Sequence, residues 1–158
     1  MDCIIGKKKT TACLLTMTER QSRQELAFWM KDHTAASVVK VLDKLERKLG
    51  SRMFRQIFQS ITVDNGSEFA DCISMEASAI TKRFRTKMYY CHPYSSWERG
   101  SNENQNRMIR RFYPKGTDFT KVKQADVQDA IDWINKYPRL ILDWRCSEEL
   151  FNEQLNAA

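Results

Sequence analysis

Three carboxylates in this chain are spaced to hold metal ions. Asp64 ends the apolar run of Phe58, Ile61 and Val63 and opens Asp64-Asn65-Gly66. Glu103 follows after 38 intervening residues, inside Pro93-Tyr94-Ser95-Ser96-Trp97-Glu98-Arg99-Gly100-Ser101-Asn102-Glu103-Asn104, and Asp2 lies at the start of the chain. One acid closing a strand and another on a later basic helix bring oxygen ligands from separate elements to one place. A two-metal phosphoryl-transfer site needs such convergence, with cations about 4 Å apart. All-oxygen donor sets of this kind suit Mg2+ and Mn2+.

Each acid also has an ordinary reading, because most of the 20 acidic residues must be solvated surface charges. Asp-Asn-Gly is a common turn sequence. Glu103 could simply pair with Arg107 at i+4, which is worth about 0.3 kcal/mol. Asp2 sits where chains often fray. Glu68, four residues after Asp64, is a minor candidate for an auxiliary ligand that could equally face solvent or cap the following helix.

The cations gather around these acids. From Lys82 to Lys123 there are eleven Lys and Arg residues against Glu98, Glu103 and Asp118, so this window carries +8 and the remainder −2 of a net +6. On a helix starting at about Asn102, residues Glu103, Asn106, Arg107 and Arg110 share one face, while Met108, Ile109 and Phe112 point to the core. Arg107, Arg110, Arg111 and Lys115, with Arg99 and Asn106, are candidate DNA contacts flanking the metals, the alternative being a basic solvated face. Trp97 and Tyr94 either stack on unpaired bases or anchor their loop, and anchoring is the favoured reading.

His33 and His92 lie far apart without ligand spacing and read as loop histidines. The five cysteines, Cys3, Cys13, Cys72, Cys91 and Cys146, include no C-x-x-C pair, which argues against a disulfide framework or a cysteine zinc site. No apolar run approaches the roughly 20 residues of a membrane span, and the start is not that of a secretory signal. The expected setting is the cytoplasm.

The elements that must position the acids follow from periodicity. Ile4 and Ile5, Thr10 to Thr18, and Leu26 to Met30 predict three antiparallel strands, with Lys7-Lys8-Lys9 as a hairpin turn. Ala35, Val38, Val39, Leu42, Leu45 and Leu49 form a helical stripe stopped by Gly50. A strand then leads into Asp64, where Gly66 is expected to supply a sharp turn. A short helix at Ser74 to Thr81, a strand at Met88 to Cys91, and helices from about Asn102 and Val122 complete the order βββαβαβαα. That order predicts one α/β domain over residues 1–158, with a mixed five-stranded sheet (three antiparallel strands, then two parallel) and helices on both faces.

The motifs Asp64-Asn65-Gly66-Ser67-Glu68-Phe69, Pro93 to Asn104, and Arg110-Arg111-Phe112-Tyr113-Pro114-Lys115-Gly116-Thr117-Asp118-Phe119 resemble the catalytic core of the thirty-numbered insertion-sequence family of bacterial DDE transposases, related to retroviral integrase cores. The resemblance runs from Met1 to about Pro138. It implies a ribonuclease H-like fold, and it implies that Asp2, Asp64 and Glu103 are the family's first, second and third acids. It further implies two Mg2+ or Mn2+ ions in the active complex, cleavage of double-stranded DNA at the element ends, and attack of the freed 3′-hydroxyl on target DNA by a homo-oligomer. Two departures stand out. The N-terminal helix-turn-helix region usual in the family is absent, so an excised core is expected. The stretch Asp143-Trp144-Arg145-Cys146-Ser147 lacks the Gly- and Pro-bearing turn of relatives, so the last helix is expected to pack differently. A stand-alone nuclease or resolvase of the same fold, and a catalytically silent DNA-binding remnant, are the competing readings.

Overall fold

In the computed structural model, which describes residues 1–92 and 100–157 and the side chains of 1–92 and 102–157, the first three strands form an antiparallel ladder. These are β1 (Asp2–Ile5), β2 (Cys13–Thr18) and β3 (Glu25–Met30), in the order β1-β2-β3. The register sets Asp2 opposite Thr16 and Cys13 opposite Met30. The lysine triplet is the β1–β2 turn, closed by a bond from the Thr10 amide to the Lys7 carbonyl, with Lys9 at φ 72°. A second ladder pairs β4 (Ser60–Val63) with β5 (Lys87–Tyr90) in parallel. The Met1 amino group donates to the Thr62 carbonyl at 2.8 Å and so brings β1 alongside β4.

Strand alternation divides the core in two. Because successive side chains leave a strand on opposite faces, Cys13, Leu15 and Met17 pack with Val38 and Leu42 of helix α1 (Ala35–Leu49), Phe54 of α2 (Ser51–Ile57) and Met75 of α3 (Cys72–Glu76). Ile4, Leu14 and Ala27 face the other way, onto Ile109 of α4 (Gly100–Phe112) and Val127, Ile131 and Ile134 of α5 (Gln124–Lys136). This is the mixed α/β arrangement with helices on both faces that the periodicity predicts.

Helix α1 has the expected limits. Its N-cap Thr34 side chain accepts from the Ser37 amide, and Gly50 ends it at φ 78°. Its buried Glu46 binds the fully buried Arg85 at 3.1 Å, and Arg85 also reaches Asp43 at 2.7 Å. The free edge of β3 is covered rather than exposed. Asn135 accepts from the Glu25 amide and donates to its carbonyl, both at 2.9 Å, while Gln124 accepts from the Trp29 amide and donates to the Ala27 carbonyl.

Three features differ from the sequence-based expectation. Helix α2 starts directly after Gly50, because a glycine that ends one helix can also serve as the N-cap of the next. Helix α3 lies earlier than Ser74 to Thr81, since the Asp71 side chain accepts from the Ser74 amide and fixes the start there. Finally, α6 (Ser147–Ala157) follows a turn in which Asp143 and Trp144 both take left-handed backbone, at φ 52° and 60°. Two non-glycine residues accept the conformation that a glycine would fill without strain.

Candidate functional site

Asp2 faces the α4 side of the sheet, as Ile4 does, because the two are separated by one residue along β1. Its carboxylate is held on both oxygens. Asn106 donates to Oδ2 at 2.7 Å, and the Cys3 amide donates to Oδ1 at 2.8 Å. Asn106 in turn accepts from the Thr16 hydroxyl at 3.2 Å, and that hydroxyl also lies 3.2 Å from the Asp2 carbonyl. Thr16 sits opposite Asp2 in the ladder, so one strand pair and one helix share a single polar clamp.

Asp64 leaves the end of β4, the strand whose Thr62 carbonyl receives the Met1 amino group. Its Oδ1 accepts from the Gly66 amide at 3.1 Å, a side-chain turn that fixes the carboxylate against its own backbone. Asn65 donates to the Cys91 carbonyl and ties the turn to the end of β5. Gly66 itself has φ −66°, so the turn needs no left-handed residue there. The need for glycine arises instead from space, because a Cβ at this position would overlap the Glu68 carboxylate.

Glu103 is exposed in the first turn of α4 and lies one turn before Asn106 on the same face. The clamp from Asn106 to Asp2 therefore sets the helix that carries Glu103 against the strand that carries Asp2. Arg110, a turn further on, donates to the Ile5 carbonyl at 2.9 Å. Burial lowers its pKa from the usual arginine value. Asn106 and Arg110 are thus both committed to β1. Arg107, Arg111 and Lys115 are exposed, whereas Arg99, Tyr94, Trp97 and Glu98 lie outside the described residues. Phe112, expected in the core, is 40% exposed and packs edge-on against Trp133 at 5.3 Å between ring centres.

Behind this face lies a group that spacing does not reveal. Glu68 is buried, and its Oε1 is 2.9 Å from His33 Nε2 in the turn between β3 and α1. Cys3, next to Asp2 but on the opposite side of β1, lies within the same group. Contact over 35 residues of sequence between His33 and Glu68 leaves no local periodic trace, which is why the histidine reads as an ordinary loop residue.

The donor set at the acids fits hard divalent cations. Asp2, Asp64 and Glu103 supply carboxylate oxygens, those of Asp2 and Asp64 already oriented by Asn106 and the Gly66 amide, although the three carboxylates do not all lie within 4.8 Å of one another. Among the described residues, no helix is long and apolar enough to cross a membrane.

No protein-family model matches the chain. It is 33% identical over 156 residues to the transposase for insertion sequence element IS4351 of Bacteroides fragilis, covering 99% of this chain and 44% of that protein. It is 28% identical over 149 residues to the transposase InsI for insertion sequence element IS30A of Escherichia coli K12, covering 94% of this chain and 36% of that one. The chain thus spans less than half the length of these relatives. Among solved structures, the catalytic core domain of BIV integrase superposes with a TM-score of 0.64 at 16% identity, over 99% of this chain and 94% of that one. A chain of the simian T-cell lymphotropic virus intasome, determined in complex with the PP2A regulatory subunit B56 gamma, gives 0.65 at 18% identity, over 94% and 51%. The fold is that of the integrase catalytic cores, a ribonuclease H-like fold.

Proposed function

Since nearly all of this chain is homologous to part of the insertion-sequence transposases, we propose that residues 1–158 are a catalytic core for DNA cleavage and 3′-hydroxyl strand transfer, with Asp2, Asp64 and Glu103 as its metal ligands. The observation that carries this reading is the clamp in which Asn106, on the helix of Glu103, holds the carboxylate of Asp2 at 2.7 Å. It does what a metal site requires, which is to fix the orientation of one ligand relative to another.

Mg2+ or Mn2+ bound by these acids would lower the pKa of an attacking oxygen and balance charge on the leaving one. The side chains have separate tasks. Asp2 and Asp64 are held by Asn106 and the Gly66 amide, so their oxygens are oriented before any substrate arrives. Glu103, exposed and on a helix start, can adjust to a bound phosphodiester. Arg107, Arg111 and Lys115, with Arg99, would contact phosphates, and such binding must weaken steeply with salt. Arg110 and Asn106 serve better as supports of β1 than as DNA contacts, given the bonds they already make. Double-stranded element ends and target DNA, a homo-oligomeric complex and a cytoplasmic setting complete the proposal.

The test is strand transfer with pre-cut ends in Mg2+ or Mn2+, beside metal titration. Joined products from the wild type, lost together with metal affinity in Asp64→Asn, support the reading. Equal metal affinity in the two proteins removes its central claim, and cleavage without joining would favour a nuclease of the same fold.

A further inference from the structure

On the opposite face of the sheet from the acids, Cys3 Sγ, a ring nitrogen of His33 and a carboxylate oxygen of Glu68 lie within 4.8 Å of one another. We propose that these three side chains, with Cys13 as the fourth ligand, form a tetrahedral Zn2+ site separate from the acid site. The assignment is independent of the transposase reading, because none of the four residues belongs to the three acids.

Geometry and donor chemistry carry it. The ligands arrive from four places in the fold: Cys3 on β1, Cys13 on β2, His33 in the turn before α1, and Glu68 in the short turn after β4. Around a tetrahedral zinc with bonds of about 2.0–2.3 Å, ligand atoms stand about 3.4–3.8 Å apart. For Cys3, His33 and Glu68 side-chain rotation need change the present spacing by only about 1 Å, whereas Cys13 lies outside that group and must swing towards it. Cys3 and Cys13 are diagonal neighbours across the β1–β2 ladder, because Cys3 pairs with Leu15 and Ile5 with Cys13. One oxygen, one imidazole and two sulfurs exclude Mg2+ and Ca2+, which take oxygen ligands, and match zinc.

The plain alternative is a His33–Glu68 ion pair beside two thiols that merely fill space. His33 Nε2 does not behave as such a donor. It is buried and within 2.9 Å of the carboxylate, yet among the described residues no properly aligned hydrogen bond reaches it. A nitrogen and an oxygen this close without an aligned hydrogen bond suit two ligands of one ion better than a donor and its acceptor. The thiols are also paired with each other. A side-chain hydrogen bond links Cys3 and Cys13. Coordination would replace the two thiol protons, which pass to solvent.

The space around Glu68 is built for a fixed carboxylate. Gly66 leaves room that any side chain would occupy, so the carboxylate is packed against the Asp64 turn. Cys3 adjoins Asp2 and Glu68 lies four residues past Asp64. A metal here would tie together, from behind, the two strand ends that carry acids.

The experiment is titration of the metal-stripped, reduced chain with Co2+, whose bond to thiolate gives a near-ultraviolet charge-transfer band. The expected result is one equivalent bound with that band, displaced by one equivalent of Zn2+, untouched by excess Mg2+, and present equally in Asp64→Asn. Cys3→Ser should weaken the band at a Co2+ concentration that saturates the wild type, and His33→Gln and Glu68→Gln should each weaken binding at least tenfold. His33 is a partly exposed turn residue, so His33→Gln should keep the wild-type melting profile and carries the test even where Cys3→Ser fails to fold. A folded wild type without the band overturns the site. So does an unchanged Co2+ affinity in His33→Gln, because the imidazole would then not be a ligand. Loss of joining activity in Asp64→Asn with the band retained separates this site from the acid site.

Discussion

Replacing Asn106 by Leu removes a side chain that spans from α4 to the carboxylate of Asp2. The variant loses a 2.7 Å bond to Asp2 and a 3.2 Å bond from Thr16. A hydrogen bond to a charged group contributes about 1.5–3 kcal/mol and a neutral one about 1 kcal/mol. Asp2 and Asn106 are only partly buried, so water can replace much of this, and leucine is close to asparagine in size. The expected loss of folding stability is therefore at the low end, about 1 kcal/mol. The functional loss should be larger, because oriented partners of metal ligands typically cost 10–100-fold in affinity or activity when removed. Mn2+ titration by calorimetry, with urea denaturation on the same samples, separates the two quantities. Metal affinity at least tenfold weaker with a stability change near 1 kcal/mol is the expected pair of results. Unchanged Mn2+ affinity in Asn106→Leu would refute the claim that the clamp prepares Asp2 for metal. A loss of several kcal/mol in stability would show instead that the bond is chiefly structural.

Three other outcomes follow from buried groups. Glu25 is fully buried, and desolvation raises its pKa to about 8 against a bond from Thr18 that lowers it. An acid raised in the folded state binds its proton there while the unfolded chain has released it, so stability falls as pH climbs from about 4.5 to about 8 and is level beyond. The full span is at most about 5 kcal/mol by the 1.36 kcal/mol carried by each pKa unit, and Glu25→Gln should flatten it in urea melts taken across that range. Arg85→Met leaves Glu46 buried without its cation and should cost about 3–5 kcal/mol, whereas Arg85→Met with Glu46→Leu should recover much of that loss in the same denaturation assay. Gly66→Ala forces a methyl onto the Glu68 carboxylate and should cost about 1–3 kcal/mol. Adding Glu68→Ala should return most of this, and a strictly additive double mutant would show that the clash is not the cause.

Much of the fold could be read in the sequence because its signals are local. Helix α1 declares itself by a stripe at helical spacing and by Gly50 after it, and the structure adds Thr34 as its N-cap. The strands declare themselves by short apolar runs between charged turns. Helix α2 was not legible, since seven residues directly after a helix stop carry too few turns for a period to appear. Phe112 was misplaced because α4 ends at that residue, and an aromatic in the last turn can pack sideways on Trp133 rather than downward into the sheet. Asp64 is marked out by the apolar run that precedes it, whereas Asp2 is singled out chiefly by the family resemblance. The roles of Asn106 and Arg110 could not be read, because both depend on which strand lies under the helix.

The same limit explains why one strand can carry two proposed sites unnoticed. In β1, Asp2 and Cys3 are adjacent in sequence and therefore point to opposite faces of the sheet. A reading for chemistry follows residues of like type, so it joins Asp2 to other acids and finds Cys3 without a partner. Only the crossing of β1 by β2, and the return of the chain after β4, gives Cys3 its neighbours Cys13 and Glu68. The consequence reaches the acids themselves. The Cys3 amide holds Asp2 Oδ1, and the Asp64 turn packs on Glu68 through Gly66, so any ion drawn to the cysteine face would stiffen both carboxylates without touching either.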